Sequence, residues 1–157
     1  MRHVVSVIVE NKPGVLARIA GLFSRRGYNI DSLAVGITEN PDFSRITLVV
    51  HGDDIIIEQI VKQLYKLIDT YKVIDLTKQT HIEREMALVK ISVTASTRSE
   101  IIEIADIFRA KIIDVSEKNL VIELTGDQDK IEGFLVLIKK FGIVELVRTG
   151  SIAIQRG

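Results

Sequence analysis

Cysteine and tryptophan are missing from the 157 residues, proline occurs twice, and aromatic residues amount to only 5%. Without cysteine there is no disulfide, no thiolate nucleophile and no cysteine-based metal site. With so few rings, the core has to be built from Ile, Val and Leu. An excess of either charge is missing too: 21 basic residues face 21 acidic ones, so nothing favours nucleic acid or an anionic membrane as a partner. The start, MRHVVSVIVENK, meets Glu10 and Lys12 too early for a signal peptide or a membrane span. A cytoplasmic location is therefore expected. What remains is an ordinary globular composition, 46% hydrophobic and 27% charged, long enough for one domain or two small ones.

Catalytic signatures are absent as well. His3, His51 and His81 have neither metal-ligand spacing nor a carboxylate paired with them in sequence, so a surface or strand-end place is expected for each. No G-x-S-x-G, P-loop or dinucleotide fingerprint occurs. The acidic pairs Asp53/Asp54 and Asp127/Asp129 sit at expected helix starts, where capping accounts for them. Arg25 and Arg26 could hold a phosphate, but two arginines facing the dipole at a helix end need no ligand to explain them. No catalytic residue and no metal ligand is assigned.

The informative stretch is Val9–Gly36, VENKPGVLARIAGLFSRRGYNIDSLAVG. Val15, Leu16, Ile19, Ala20, Leu22 and Phe23 share one side at helical spacing, with Arg18, Ser24, Arg25 and Arg26 opposite. Gly27 follows the last turn, where a helix end favours a left-handed residue. At the front, Asn11-Lys12-Pro13-Gly14 is a turn opening into the helix, with Pro13 suited to the first turn. The amides around Gly14 and Val15 then carry the positive end of the helix dipole into open space, a place for an anion. Asn11 can be read as an Asx-turn residue and Asn29 as a strand-entry residue after Gly27, or both as holders of a small polar ligand.

Along the chain, His3–Glu10 is a strand that is apolar on both faces, as expected of a central strand. The helix follows, then strands Tyr28–Thr38 and Ser44–His51, a helix opened by Gly52-Asp53-Asp54, and a strand Tyr71–Thr77. In the second helix Ile57, Ile60, Val61, Leu64, Leu67 and Ile68 form the expected buried stripe. The same βαββαβ order then recurs: strand Met86–Ala95, helix Arg98–Ala110, strands Lys111–Ser116 and Leu120–Thr125, helix Gln128–Phe141 and strand Ile143–Ile154. The letters repeat too. Ile19-Ala20-Gly21-Leu22-Phe23 matches Ile104-Ala105-Asp106-Ile107-Phe108 at an offset of 85, and Gly52-Asp53 matches Gly126-Asp127 at an offset of 74.

The fold class expected is α+β: two tandem ferredoxin-like units, residues 1–79 and 85–157, joined by the polar run 80–84. The copies differ chemically, because Ser96, Arg98 and Ser99 replace Asn11, Pro13 and Gly14 at the letter offset. A βαββαβ unit is also the plan of RNA-recognition modules, but those stack bases on strand aromatics. Here the first and third strands, VVSVIV and SRITLVV, have none.

Glu10–Val35, E-N-x-P-G-V-L-x-R-I-x-G-L-F-S-R-R-G-Y-N-I-x-S-L-x-V, closely resembles the start of the regulatory small subunit of acetohydroxyacid (acetolactate) synthase. The resemblance continues through Ser44–Thr47, Glu58–Leu64, Arg84–Ile91, Phe108–Ala110 and Ile112–Val115, so it spans essentially the whole chain. It implies an ACT domain, the small-ligand module of amino-acid metabolism, in residues 1–79. It also implies a homodimeric, non-catalytic subunit that activates a catalytic large subunit and confers feedback inhibition by valine in branched-chain amino-acid synthesis. Thiamine diphosphate, Mg and FAD are then expected only on that large subunit, and no cofactor on this chain. On the family pattern the effector lies between two ACT domains, with Asn11, Gly14 and Val15 from one subunit facing Asn29 and Ile30 from the other. The rival reading is a stand-alone amino-acid sensor acting on transcription or on another biosynthetic enzyme. Against transcription, the chain shows no helix-turn-helix segment and no basic face.

Overall fold

β1, Arg2–Glu10, alternates valines on both faces, and the rest of the first unit is arranged to cover them. The computed structural model describes Met1–Gly157. It forms two compact units, Met1–Ile82 together with Ser151–Gly157, and Glu83–Gly150. The first contains β1, α1 (Val15–Arg25), β2 (Ile30–Ile37), β3 (Phe43–His51), α2 (Asp54–Tyr65) and β4 (Thr70–Asp75). Its antiparallel sheet has the order β2-β3-β1-β4, with β1 inside and β2 at an edge. On one face Val5, Val7 and Val9 pack with Val15, Ile19 and Phe23 of α1 and Ile57, Ile60 and Leu64 of α2. On the other, Val4 and Val49 are covered by Leu76 and Ala153.

Ala153 belongs to the chain's last segment, and that segment corrects the expected strand Ile143–Ile154. Two strands are found instead, β8 (Ile143–Arg148) and β9 (Ile152–Gln155), separated around Gly150, whose φ is +83°. Ser151 N–H donates to Ser32 Oγ at 3.0 Å, and Arg156 N–H donates to the Thr80 carbonyl at 2.8 Å. Residues 151–157 therefore complete the first unit, although the sequence reading assigned them to the second. The polar run 80–84 is not a loop either. It supplies the start of β5 (His81–Ser92), because alternating polar and apolar side chains suit a half-exposed strand as well as a linker.

The second unit continues with α3 (Arg98–Ile107), β6 (Lys111–Val115), β7 (Asn119–Gly126) and α4 (Gln128–Ile138) before β8. Its sheet runs β6-β7-β5-β8. Val89, Ile91 and Val93 meet Ile101 and Ala105 of α3 and Ile131, Phe134 and Ile138 of α4. Asp53 and Asp127 cap their helices as expected, accepting from the Ile56 and Lys130 N–H groups, each at 2.9 Å.

Four details depart from expectation. The letter match at offset 85 is displaced by about one helical turn, since Gly27 and Arg109 hold the same left-handed position after α1 and α3. His3 has the strand-end place expected, as the second residue of β1, but it is fully buried, with the Asp75 carboxylate 3.7 Å and the Asp54 carboxylate 3.9 Å away. Ile68 lies in the turn beyond α2, exposed rather than on its buried stripe. Leu16 and Ala20 face solvent on α1, so its buried stripe is narrower than the spacing suggested.

A chain stopped after Gly150 should lose the cover over Val4, Val49 and Leu76. Exposing part of three such side chains costs about 2–5 kcal/mol. Thermal unfolding of the truncated chain, compared with the full one, should show a melting temperature lower by about 4–20 degrees.

Candidate functional site

The loop between β1 and α1 is held from two sides. Asn11 N–H donates to the Asp42 carbonyl at 2.8 Å and its Nδ2 to the Pro41 carbonyl at 3.0 Å, which ties it to the β2–β3 turn. Its Oδ1 is left as an acceptor on an exposed side chain. Lys12 Nζ pairs with Glu10 at 2.9 Å, and that hydrogen bond raises the lysine pKa above its ordinary value. Pro13 lies outside the helix, contrary to expectation; α1 begins at Val15, with Gly14 at the flanking position. Gly14 has φ +84°, a conformation that favours a residue without a Cβ. No side chain caps α1, and Val15 N–H reaches only the Lys12 carbonyl, at 3.5 Å. The first turn is thus left without a side-chain cap, next to a residue with no Cβ, while the Val15 side chain is buried in the core.

The other end of α1 is closed by backbone alone. Gly27 at φ +70° lets its N–H bond the Ser24 carbonyl (3.2 Å) and the Tyr28 N–H bond the Phe23 carbonyl (3.0 Å). The Phe23 and Tyr28 rings meet edge to face at 6.1 Å, the apolar contact that accompanies such an ending. The chain then enters edge strand β2. Asn29 Nδ2 donates to Asp31 Oδ1 at 2.7 Å, leaving the Asn29 carbonyl oxygen turned to solvent. Asp31 is also bonded by His51 Nδ1. That contact first, and the Asn29 amide second, hold the Asp31 carboxyl below its ordinary pKa. Ile30 is half-buried against the first core and stands opposite Val50 of β3 at the start of the edge strand.

The five residues singled out from sequence therefore form two groups. Asn11, Gly14 and Val15 sit at one end of α1, and Asn29 and Ile30 at the other, separated by about 16 Å of helix at 1.5 Å per residue. One protomer does not bring them together.

Arg18, placed on the solvent side by its spacing, has a larger part than that. Its Nε and Nη2 donate to Asp69 Oδ2 at 2.7 and 2.6 Å. Asp69 is buried, and its backbone carbonyl accepts from Glu10 N–H at 2.9 Å at the end of β1. No sequence spacing links residues 51 positions apart. Beside the pair runs a groove of about 530 Å³ lined by Gly14, Ala17, Arg18, Gly21, Arg25 and Leu67. The corresponding start of α3 has no left-handed residue. Thr97 flanks it at φ −101°, and Thr94, Ser96 and Thr97 hydrogen-bond among themselves. No cluster of three His, Asp or Glu side chains with metal-holding geometry forms in either unit.

A βαββαβ unit with an uncapped, glycine-started first helix and an exposed edge strand is the plan of an ACT regulatory domain. Residues 5–72 match the family model of the "AHAS small subunit-like ACT domain", and residues 84–157 match that of the "Small subunit of acetolactate synthase". The probable acetolactate synthase small subunit of Archaeoglobus fulgidus is 54% identical over 157 residues, covering all of this chain and 98% of that protein. The acetolactate synthase small subunit of Aquifex aeolicus is 52% identical over 156 residues, 99% of this chain and 81% of that protein. The crystal structure of the acetolactate synthase small subunit from Thermotoga maritima superposes with a TM-score of 0.91 at 45% identity, covering 100% of this chain and 98% of that one. The chain belongs to the acetolactate synthase small-subunit family.

Asp31→Asn supplies a pH test of the α1–β2 corner. A carboxyl whose pKa is lowered by folding stabilises the protein above its unfolded pKa, and that contribution is lost as pH falls through the folded value. The variant should therefore melt below wild type at neutral pH. The gap should close once pH drops below the ordinary carboxylate range, followed by thermal scans between pH 7 and 2.

Proposed function

We propose that this chain activates the catalytic subunit of acetolactate synthase and makes it sensitive to valine, which binds between the ACT domains of two copies. The observation that carries the reading is the start of α1 in the first unit. There a left-handed glycine, an uncapped helix end and a groove coincide, whereas the helix start in the second unit has no left-handed residue and its Thr94, Ser96 and Thr97 hydroxyls bond one another. A zwitterion needs donors for its carboxylate and acceptors for its ammonium. The uncapped amides at Gly14 and Val15 supply the first. The free side-chain oxygens of Asn11 and of Asn29 in a second copy supply the second, without burying an unpaired charge. The 16 Å or so between the two groups explains why two copies are needed. Thiamine diphosphate, Mg and FAD belong, in this reading, to the catalytic subunit.

Two outcomes follow. In sedimentation experiments the chain should be a dimer or larger at micromolar concentration, and valine, but not glycine, should strengthen the association and raise the melting temperature. A bridging ligand at a hundredfold excess over its dissociation constant stabilises by about 2.7 kcal/mol. A strict monomer, with and without valine, contradicts the shared site.

Gly14→Asp should remove valine inhibition from the reconstituted enzyme while leaving activation near wild type. At φ +84° the new residue costs about 1 kcal/mol. A Cβ would stand 3.2 Å from Arg18 Nη1, so the added carboxylate can pair with that guanidinium and the helix amides. It then occupies the place of the effector's carboxylate, weakening valine by on the order of a hundredfold. Inhibition retained at the wild-type valine concentration would remove the site from this helix start.

A further inference from the structure

Arg18 shares the groove with a second arginine, and the two are held differently. Arg18 is about half exposed, yet its Nε and Nη2 both donate to one oxygen of an Asp69 carboxylate that is only 8% exposed. A buried carboxylate fixes the arginine in place, because leaving that charge unpaired is costly. Asp69 is itself fixed to the end of β1 through its backbone carbonyl and Glu10 N–H. The third guanidinium nitrogen, Nη1, has no acceptor and lies where a Gly14 Cβ would be only 3.2 Å away. Arg25 lies along the same groove, with Nη1 3.6 Å from a Cβ built on Gly21, but no carboxylate holds it. One arginine of the groove is thus held by a carboxylate and the other is not.

We infer that Arg18 recognises the carboxylate of the effector, and that Asp69 is the positioning residue that aims it. The inference rests on the amino-acid reading above and adds a side chain to it. Two nitrogens of the fork are committed to Asp69 and the third points into the groove, so one residue ties the pocket floor to the ligand. Lysine cannot do the same, since a single ammonium pairs with Asp69 or reaches the groove but does not span both in a fixed plane. The ligand class follows: an amino acid with a free carboxylate. An amide or ester of the same side chain should be refused.

The test compares valine with valinamide by calorimetry on the full chain, in wild type, Arg18→Lys, Asp69→Asn and Gly14→Asp. Wild type should prefer valine by about 100-fold or more, as expected for loss of a charge-assisted pair. Arg18→Lys keeps a cation for Asp69, so it should melt close to wild type, bind valine about 10–100-fold more weakly and lose most of its preference over valinamide. Asp69→Asn should show a smaller loss of the same preference, because the guanidinium remains but is no longer aimed. If Arg18→Lys does not fold, the double variant Arg18→Gln with Asp69→Asn removes both charges together and should show the same collapse of preference. Either variant retaining the wild-type ratio overturns the inference. If Gly14→Asp abolishes binding while the Arg18 variants keep that ratio, the pocket stands and only the role of Arg18 falls. If wild type binds neither compound, the amino-acid reading falls and the inference with it.

Discussion

β1 has to be covered on two faces, and most of the first unit follows from that constraint. Val5, Val7 and Val9 need a helix layer, which α1 and α2 supply. Val4 and its neighbour Val49 need a second cover, and it comes from Leu76 and from Ala153 near the far end of the chain. A strand held this firmly is a good base for a loop. The chain leaves β1 at Glu10, whose N–H is bonded by the Asp69 carbonyl, and turns at Gly14 directly into α1. The candidate site is therefore anchored to a central, well-buried strand of its unit while its own atoms stay open.

That openness has an energetic cost, and comparison of the helix starts shows where it is accepted. α2 and α4 each have an aspartate cap, a feature worth about 1 kcal/mol. α1 has none, and it also holds a residue at φ +84°. α3 is uncapped from its flanking residue as well, yet the hydroxyls of Thr94, Ser96 and Thr97 satisfy one another around it. Only in the first unit are a left-handed start, a groove and a pinned arginine found together. Local rules broken in one place and kept at its repeat are what a binding site looks like in physical terms.

Much of this was legible from residues alone. The two-sided apolar run of β1, the apolar periods of α1 and α2, and Gly27 after the first helix set element type and order. The capping aspartates fixed two helix starts. What escaped was what tertiary contact decides. The polar stretch 80–84 alternates as a linker or a half-exposed strand would, and only its partners make it the start of β5. The break between β8 and β9 falls at Gly150, a local turn signal, but which unit the last residues then cover is decided by tertiary contact. Arg18 looked like a solvated helix residue because its partner, Asp69, is distant in sequence. The letter repeat in α1 and α3 misled by a turn, since Ile and Ala recur at helical spacing and slide past one another with little change. The two asparagines were identified as residues, but their free oxygens became visible only once Pro41 and Asp31 were seen to take their amide donors.

The central claim is that one small amino acid is read by both ends of α1 at once, through two copies of the chain. Amide chemical shifts recorded while valine is added to the isotopically labelled chain test it most directly. Gly14 and Val15 should move together with Asn29 and Ile30, along one saturation curve, although about 16 Å of helix separates the two groups in a single copy. The start of α3, around Thr94–Thr97, should stay still. Shifts confined to one end of α1, two different saturation curves, or changes centred on the second unit would contradict the account.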